Sequence, residues 1–172
     1  MSISRLCLGT VKLGIPDYGF SSSTQKTEHD SVEFLTQVGN LGITSFDTSP
    51  RYGDSERILG KYLKNKKTKC FVSSKIDGLN PNDPNSKSRM FESVKKSLDK
   101  LNRNYLDVCY LHQNDIKIIS DPYVKEGLRE LKNHKLIQYA GTSIYDLNEY
   151  QYSIKTDEYD YIQVPINIFD LR

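Results

Sequence analysis

The chain has 172 residues, with 24 lysines and arginines against 22 aspartates and glutamates, a net charge of +2. That length suits one domain with a real core, and the balanced charge excludes the basic footprint of a nucleic-acid or anionic-membrane binder. No stretch approaches the ~18 apolar residues of a membrane span, and the apolar run near the N-terminus is too short for a secretory leader.

In chain order, short apolar runs alternate with longer stretches of helical spacing. A first strand is expected over Leu6–Gly9. Residues 11–27, rich in Gly, Pro and Ser, read as a loop in which Tyr18 and Phe20 serve either as an aromatic wall or in ordinary packing. Val32, Leu35 and Val38 then stripe a helix ending at Asn40-Leu41-Gly42, with glycine as its C-cap. A strand over Thr44–Phe46 follows, then a helix striped by Ile58, Leu59, Tyr62 and Leu63. The basic run at 64–69 closes that helix as a solvated end, where cations complement the helix dipole.

The next strand is expected over Cys70–Ser73, with a top-face loop at 76–87. Phe91, Val94, Leu98 and Leu101 stripe the third helix, with Ser86 or Ser88 as its N-cap. A strand over Leu106–Leu111 precedes a helix striped by Val124, Leu128 and Leu131 and entered through Asp121-Pro122. A strand over Ile137–Ala140, a short helix opening near Asp146 and a strand over Tyr161–Val164 complete the pattern. Six near-continuously apolar strands separated by five helices imply a parallel sheet with right-handed crossovers. The expected fold is α/β, a partial TIM-type (β/α) barrel in a single domain over 1–172. Cys7, Cys70 and Cys109 lie in or beside strands, match no metal spacing, and read as small buried side chains of a reducing, cytoplasmic compartment.

Four polar residues stand where apolar runs end: Asp47, Tyr52 five residues on, Lys75 and His112. In a βα-repeat barrel, the C-terminal strand ends are where catalytic side chains gather. An acid, a phenol, an amine and an imidazole together make a proton-transfer set. Each alone has an ordinary structural role available, as a turn cap, a packed ring or a surface charge. With no Gly-x-Gly-x-x-Gly run, a Rossmann-type dinucleotide site is unsupported.

The ordered motifs Leu8-Gly9-Thr10, Gly42 through Gly53, Ser55-Glu56-Arg57-Ile58-Leu59-Gly60, Ser73-Ser74-Lys75, Leu98 through His112, Gly141-Thr142-Ser143 and Ile162 through Asn167 resemble the N-terminal two-thirds of an aldo-keto reductase. The resemblance implies NADPH-dependent reduction of an aldehyde or ketone. Tyr52 would be the proton donor, Lys75 the cation that lowers its pKa, Asp47 the partner of Lys75, and His112 the group that orients the carbonyl. Thr10, Ser143 and Gln163 would contact the nicotinamide nucleotide, and no metal is implied. Ile144 stands where the family often has Asn. The match stops just past the sixth strand, whereas a full barrel has eight βα units. The family's phosphate-holding groups would therefore lie beyond Arg172, and the open edges of the first and sixth strands offer surfaces for self-association. A non-catalytic regulatory module or an inactive fragment is the alternative expectation.

Overall fold

The computed structural model describes residues 3–19, 24, 26–66, 69–113 and 115–169. Along the chain run β1 (Cys7–Gly9), α1 (Val11–Gly14), α2 (Glu28–Asn40), β2 (Ser45–Asp47), α3 (Ser55–Lys64), β3 (Phe71–Ile76) and α4 (Ser86–Leu101). Next come β4 (Leu106–Leu111), α5 (Ile116–Ile119), α6 (Pro122–Asn133), β5 (Ile137–Ser143), α7 (Leu147–Lys155) and β6 (Tyr161–Gln163). The strands form one six-stranded sheet in the order β1-β2-β3-β4-β5-β6. This is the expected α/β architecture of alternating strands and helices, with the single-turn helices α1 and α5 added among the described residues. The chain divides into two compact units, Met1–Ser74 with Lys95–Asp107, and Lys75–Val94 with Val108–Arg172.

In the first unit, β2 pairs in parallel with β1 and β3, with Gly9, Asp47 and Ser73 in register. Thr27 caps α2 by accepting from the Asp30 amide, and Glu28 and Asp30 sit in the first turn where the helix dipole favours acids. The helix ends as expected, with Gly42 at φ +87 just beyond the last turn. Ile58, Leu59 and Tyr62 turn the buried face of α3 inward, and the Phe46 and Tyr62 rings meet edge to face at 5.5 Å. A Cβ on Gly60 would lie 2.0 Å from the backbone oxygen of Lys100. Gly60→Ala should therefore force the backbones apart and cost about 1–3 kcal/mol. A urea midpoint unchanged from the parent would show that the two segments are not in contact.

The second unit carries α6 and α7, both opening as the sequence indicates. Asp121 accepts from the Tyr123 and Val124 amides with Pro122 in the first turn, and Asp146 forms a capping box with Glu149. A Cβ on Gly127 would meet the Met90 sulfur at 2.6 Å, so the glycine lets α6 and the start of α4 pack closely. The Tyr159 hydroxyl donates to the Ile119 carbonyl at 2.6 Å.

Side chains staple neighbouring strands near their starts in each unit. Ser4 Oγ accepts from the amides of Thr44 and Ser45, at 3.1 and 3.2 Å. Asp107 Oδ2 accepts from the Val72 amide and from Arg103, both at 2.8 Å. Asp160 Oδ2 accepts from the Ala140 amide at 2.8 Å and from Lys132 at 2.5 Å. In the second and third staples an aspartate bridges a strand amide and a cation.

Burial pushes the Tyr62 phenol up to about 12 from its ordinary 10.0. Tyr159 is raised further, again chiefly by burial. Unfolded, both phenols ionise near the ordinary value, so their contribution is fully present below pH 10 and lost as pH rises towards 12 and beyond. A titration followed at 295 nm should show Tyr62 and Tyr159 ionising late, together with unfolding. A single ordinary transition for all 12 would contradict their burial.

Several expectations are corrected. Cys70 and Cys109 are buried, but Cys7 is exposed, because β1 is an outer strand with one neighbour in the sheet order. The presumed loop at 11–27 contains α1, and β3 runs on through Lys75 to Ile76. Ser86 and Ser88 lie inside α4 rather than capping it: Arg89 N already donates to Asn85 O at 3.0 Å, so Asn85 is the residue that enters the helix. Tyr18 is exposed, while Phe20 and residues 67–68 of the basic run fall outside the described residues.

Candidate active site

Parallel strands deliver the polar side chains to their C-terminal ends in both units. Asp47 is the last residue of β2, and Thr10 follows β1. Thr10 N donates to Asp47 O at 2.9 Å, and Thr48 N to Ser73 O at 2.9 Å, so the strand ends continue pairing one residue past the sheet. Ser73 Oγ donates to Asp47 Oδ1 at 2.8 Å, which fixes the carboxylate's orientation.

Beneath Asp47 runs a chain of buried hydroxyls. Thr48 and Ser55 meet at 3.1 Å, Ser55 Oγ reaches Thr10 Oγ1 at 2.6 Å, and Thr10 Oγ1 donates to Asp47 O at 3.0 Å. Each hydroxyl has one proton and two lone pairs. Donation from Thr48 to Ser55, Ser55 to Thr10 and Thr10 to the carbonyl therefore satisfies all three in one direction. The relay ties the end of β1 and the end of β2 to the first residue of α3. It also accounts for Thr10, which is 1% exposed and whose hydroxyl is engaged inside the protein.

Tyr52 lies half-buried on the turn between β2 and α3. Its amide donates to Ser49 O, and its carbonyl accepts from Ser55 N, both at 3.0 Å. The turn is pressed against the end of α1. A Cβ on Gly14 would lie 1.8 Å from the Tyr52 carbonyl oxygen, and Gly53 holds φ +53 with Gly14 O close by. Two glycines thus permit the approach that seats Tyr52.

In the second unit, Lys75 sits near the end of β3 and is 4% exposed. An ammonium so enclosed requires compensating acceptors. His112 follows β4, and its amide donates to Ile76 O at 2.8 Å. Asp77 Oδ2 lies 3.6 Å from His112 Nδ1. Ser143 and Gln163 end β5 and β6 and are register partners, and Ile144 N donates to Gln163 O at 3.0 Å. A hydroxyl and a primary amide side by side supply the donors and acceptors that a carboxamide needs. Ile144 is buried, and Thr142 Oγ1 is a buried hydroxyl with no hydrogen-bond partner among the described residues.

Sequence reasoning singled out Asp47, Tyr52, Lys75, His112, Ser143 and Gln163, and each stands at or just after a strand end. It missed Ser73, Asp77, Gly14 and the hydroxyl relay. Ser73 was legible as the neighbour of Lys75 in β3, whereas the other contacts join residues whose nearness no local pattern announces.

The aldo/keto reductase family model matches residues 5–172. This chain belongs to the aldo/keto reductase family. Among its relatives, the uncharacterized oxidoreductase YqkF of Bacillus subtilis is 31% identical over 175 residues, covering 96% of this chain and 56% of the relative. D-arabinose 1-dehydrogenase of Saccharomyces cerevisiae is 34% identical over 157 residues, covering 86% of this chain and 44% of that protein. Among solved structures, the PA4992 protein of Pseudomonas aeruginosa superposes with a TM-score of 0.83 at 30% identity, over 99% of this chain and 66% of that one. Aldo-keto reductase AKR11C1 from Bacillus halodurans gives 0.77 at 27% identity, over 95% and 54%. The chain thus spans about half the length of the curated relatives it matches. Its fold is the partial TIM-type barrel of an aldo-keto reductase, an oxidoreductase family.

Proposed function

We propose that this aldo-keto reductase chain serves NADPH-dependent reduction of an aldehyde or ketone, with Tyr52 as proton donor. The observation that carries the reading is the set of strand-end residues: Asp47 closing β2, Tyr52 on the following turn, Lys75 near the end of β3 and His112 after β4. A bound nicotinamide would supply the hydride. The protein's task is then to deliver a proton to the carbonyl oxygen and to hold that oxygen still. A phenol near pKa ~10 is a weak acid catalyst at neutral pH. A neighbouring ammonium favours the phenolate and brings the phenol closer to working pH; the family resemblance gives that role to Lys75, and to Asp47 the role of keeping the lysine charged. His112 orients the substrate oxygen. Ser143 and Gln163 fit the nicotinamide carboxamide by donor and acceptor type. No metal enters this reading, and a reducing, cytoplasmic setting suits it.

The test is NADPH titration of the purified chain, followed by cofactor fluorescence, with its oligomeric state measured in the same sample. Micromolar binding, then NADPH oxidation with an aldehyde panel, supports the reading. A folded protein that neither binds nor oxidises NADPH rejects it. Sugars belong in that panel, because relatives at 34% and 31% identity are named for D-arabinose and L-galactose.

A second reading, a non-catalytic interaction module, draws on the exposed apolar side chains beside the outer strands. Leu6 adjoins β1, and Val164, Ile166, Ile168 and Phe169 follow β6. Among the described residues β1 and β6 each have one neighbour in the sheet order, and an edge of that kind can pair with another chain. A defined oligomer by light scattering, without cofactor binding, would favour this alternative.

A further inference from the structure

The connection after β3 makes a short excursion over residues 78–82 before it turns towards α4. Left-handed backbone brackets that excursion, with Gly78 at φ +72 and Asn82 at φ +57. Glycine takes this conformation freely, whereas asparagine is strained there and stays only where its surroundings hold it. Two residues from the connection after β4 do the holding. The Gln113 side chain accepts from the Leu79 amide at 2.6 Å and donates to the Leu79 carbonyl at 2.9 Å. Asp121 Oδ2 accepts from the Asn82 amide at 2.6 Å, while its Oδ1 takes the Tyr123 and Val124 amides that open α6. Leu79 is itself buried, so side chain and backbone both anchor the excursion.

Asp121 serves α6 with or without the excursion. Gln113 differs, because both of its side-chain hydrogen bonds go to Leu79. A primary amide carries the donor and the acceptor that one residue's backbone needs. It stands in for a neighbouring strand where β3 and β4 have already ended.

We propose that Gln113 is a positioning residue that presets residues 78–82 as a fixed wall beside the strand ends. Its part in catalysis rests on the reductase reading, in which Lys75 and His112 work at those ends. Loops at the C-terminal ends of parallel strands line the sites of βα barrels. A wall already in place loses no binding energy to ordering when a carbonyl substrate arrives. A loop drawn from several conformations weakens apparent binding by the fraction of competent protein. Gln113 therefore acts on substrate affinity and not on proton transfer.

The experiment compares the full chain with Gln113→Met, which keeps the side chain's length and removes both hydrogen bonds. Amide exchange followed by NMR reads the clamp without turnover. Leu79 should exchange at least about tenfold faster in the variant, with Val108 and Cys109 of β4 unchanged. In NADPH-dependent reduction, KM should rise about tenfold with kcat within about twofold of the parent. An unchanged Leu79 rate overturns the proposal. Equal acceleration of the β4 amides does so too, since Gln113 would then support the whole fold. Faster Leu79 exchange with an unchanged KM also overturns it. If the parent reduces no carbonyl substrate, the reductase reading fails, and the exchange comparison still decides the clamp. Gln113→Asn, one methylene too short for both bonds, is read the same way where the methionine variant does not fold. A parent whose Leu79 amide exchanges as fast as an unprotected one overturns the proposal without any variant.

Discussion

Tyr52→Phe is expected to lower kcat/KM for aldehyde reduction by about 10²–10⁴-fold, the usual worth of a positioned general acid. The loss should fall on kcat, because the ring and its packing remain and only the ionisable hydroxyl is removed. Thermal stability should stay near that of the parent. The backbone of Tyr52, which the substitution leaves in place, joins Ser49 and Ser55 and meets Gly14. NADPH oxidation measured side by side for the two proteins, with matched melts, checks both halves. Equal rates would remove Tyr52 from the chemistry. A collapsed melt would mean that the hydroxyl carries structure instead.

Asp107→Ala should give the largest loss of stability, about 3–5 kcal/mol, as expected when one partner of a buried ion pair is removed. Asp107 is 2% exposed, and its Oδ2 serves both the Val72 amide and Arg103. Arg103 in turn donates to the carbonyls of Cys70 and Tyr105, at 2.9 and 3.1 Å, and stacks on the Tyr105 ring. Truncation leaves a half-buried guanidinium without its anion and a strand amide without an acceptor. Burial pushes the Asp107 carboxyl up, and the Val72 amide and Arg103 pull it only partly back. The sign follows: this titration favours the fold fully below the ordinary carboxylate range, and that contribution fades as pH rises through the folded value. A double change, Asp107→Leu with Arg103→Met, should recover only part of the loss, because it removes both buried charges but leaves the Val72 amide and the Cys70 and Tyr105 carbonyls without those partners. Urea midpoints of the single and double variants give the comparison. A single variant within 1 kcal/mol of the parent would sink the staple as a stabilising feature.

How much was legible depends on whether a feature is local. Helix stripes such as Ile58, Leu59 and Tyr62 repeat within one element, and caps such as Asp121-Pro122, Asp146 and Gly42 act within a few residues. Single-turn helices such as α1 and α5 are too short to show a period, so the reading passed over them. Ser86 and Ser88 both suited a cap by type, but the choice turned on which carbonyl took the first helical bond, and that was Asn85. Cys7 belongs by composition with Cys70 and Cys109, yet its exposure depends on how many strands flank β1.

The candidate site divides the same way. Polar residues ending apolar runs are visible in one dimension because a parallel strand stops where its apolar run stops. Contacts such as Ser73 to Asp47, 26 residues apart, or Ser55 to Thr10, 45 apart, leave no mark in either local pattern. By itself, then, the amino-acid sequence determined the strand–helix alternation, the family and the residue types at the strand ends, since each is carried by short-range spacing. The tertiary structure alone decided that Thr10 serves the hydroxyl relay, that two glycines seat the Tyr52 turn and that Asp77 faces His112. Hydrogen bonds and close approaches are set by distances in space, and the fold brings together residues that the chain keeps far apart.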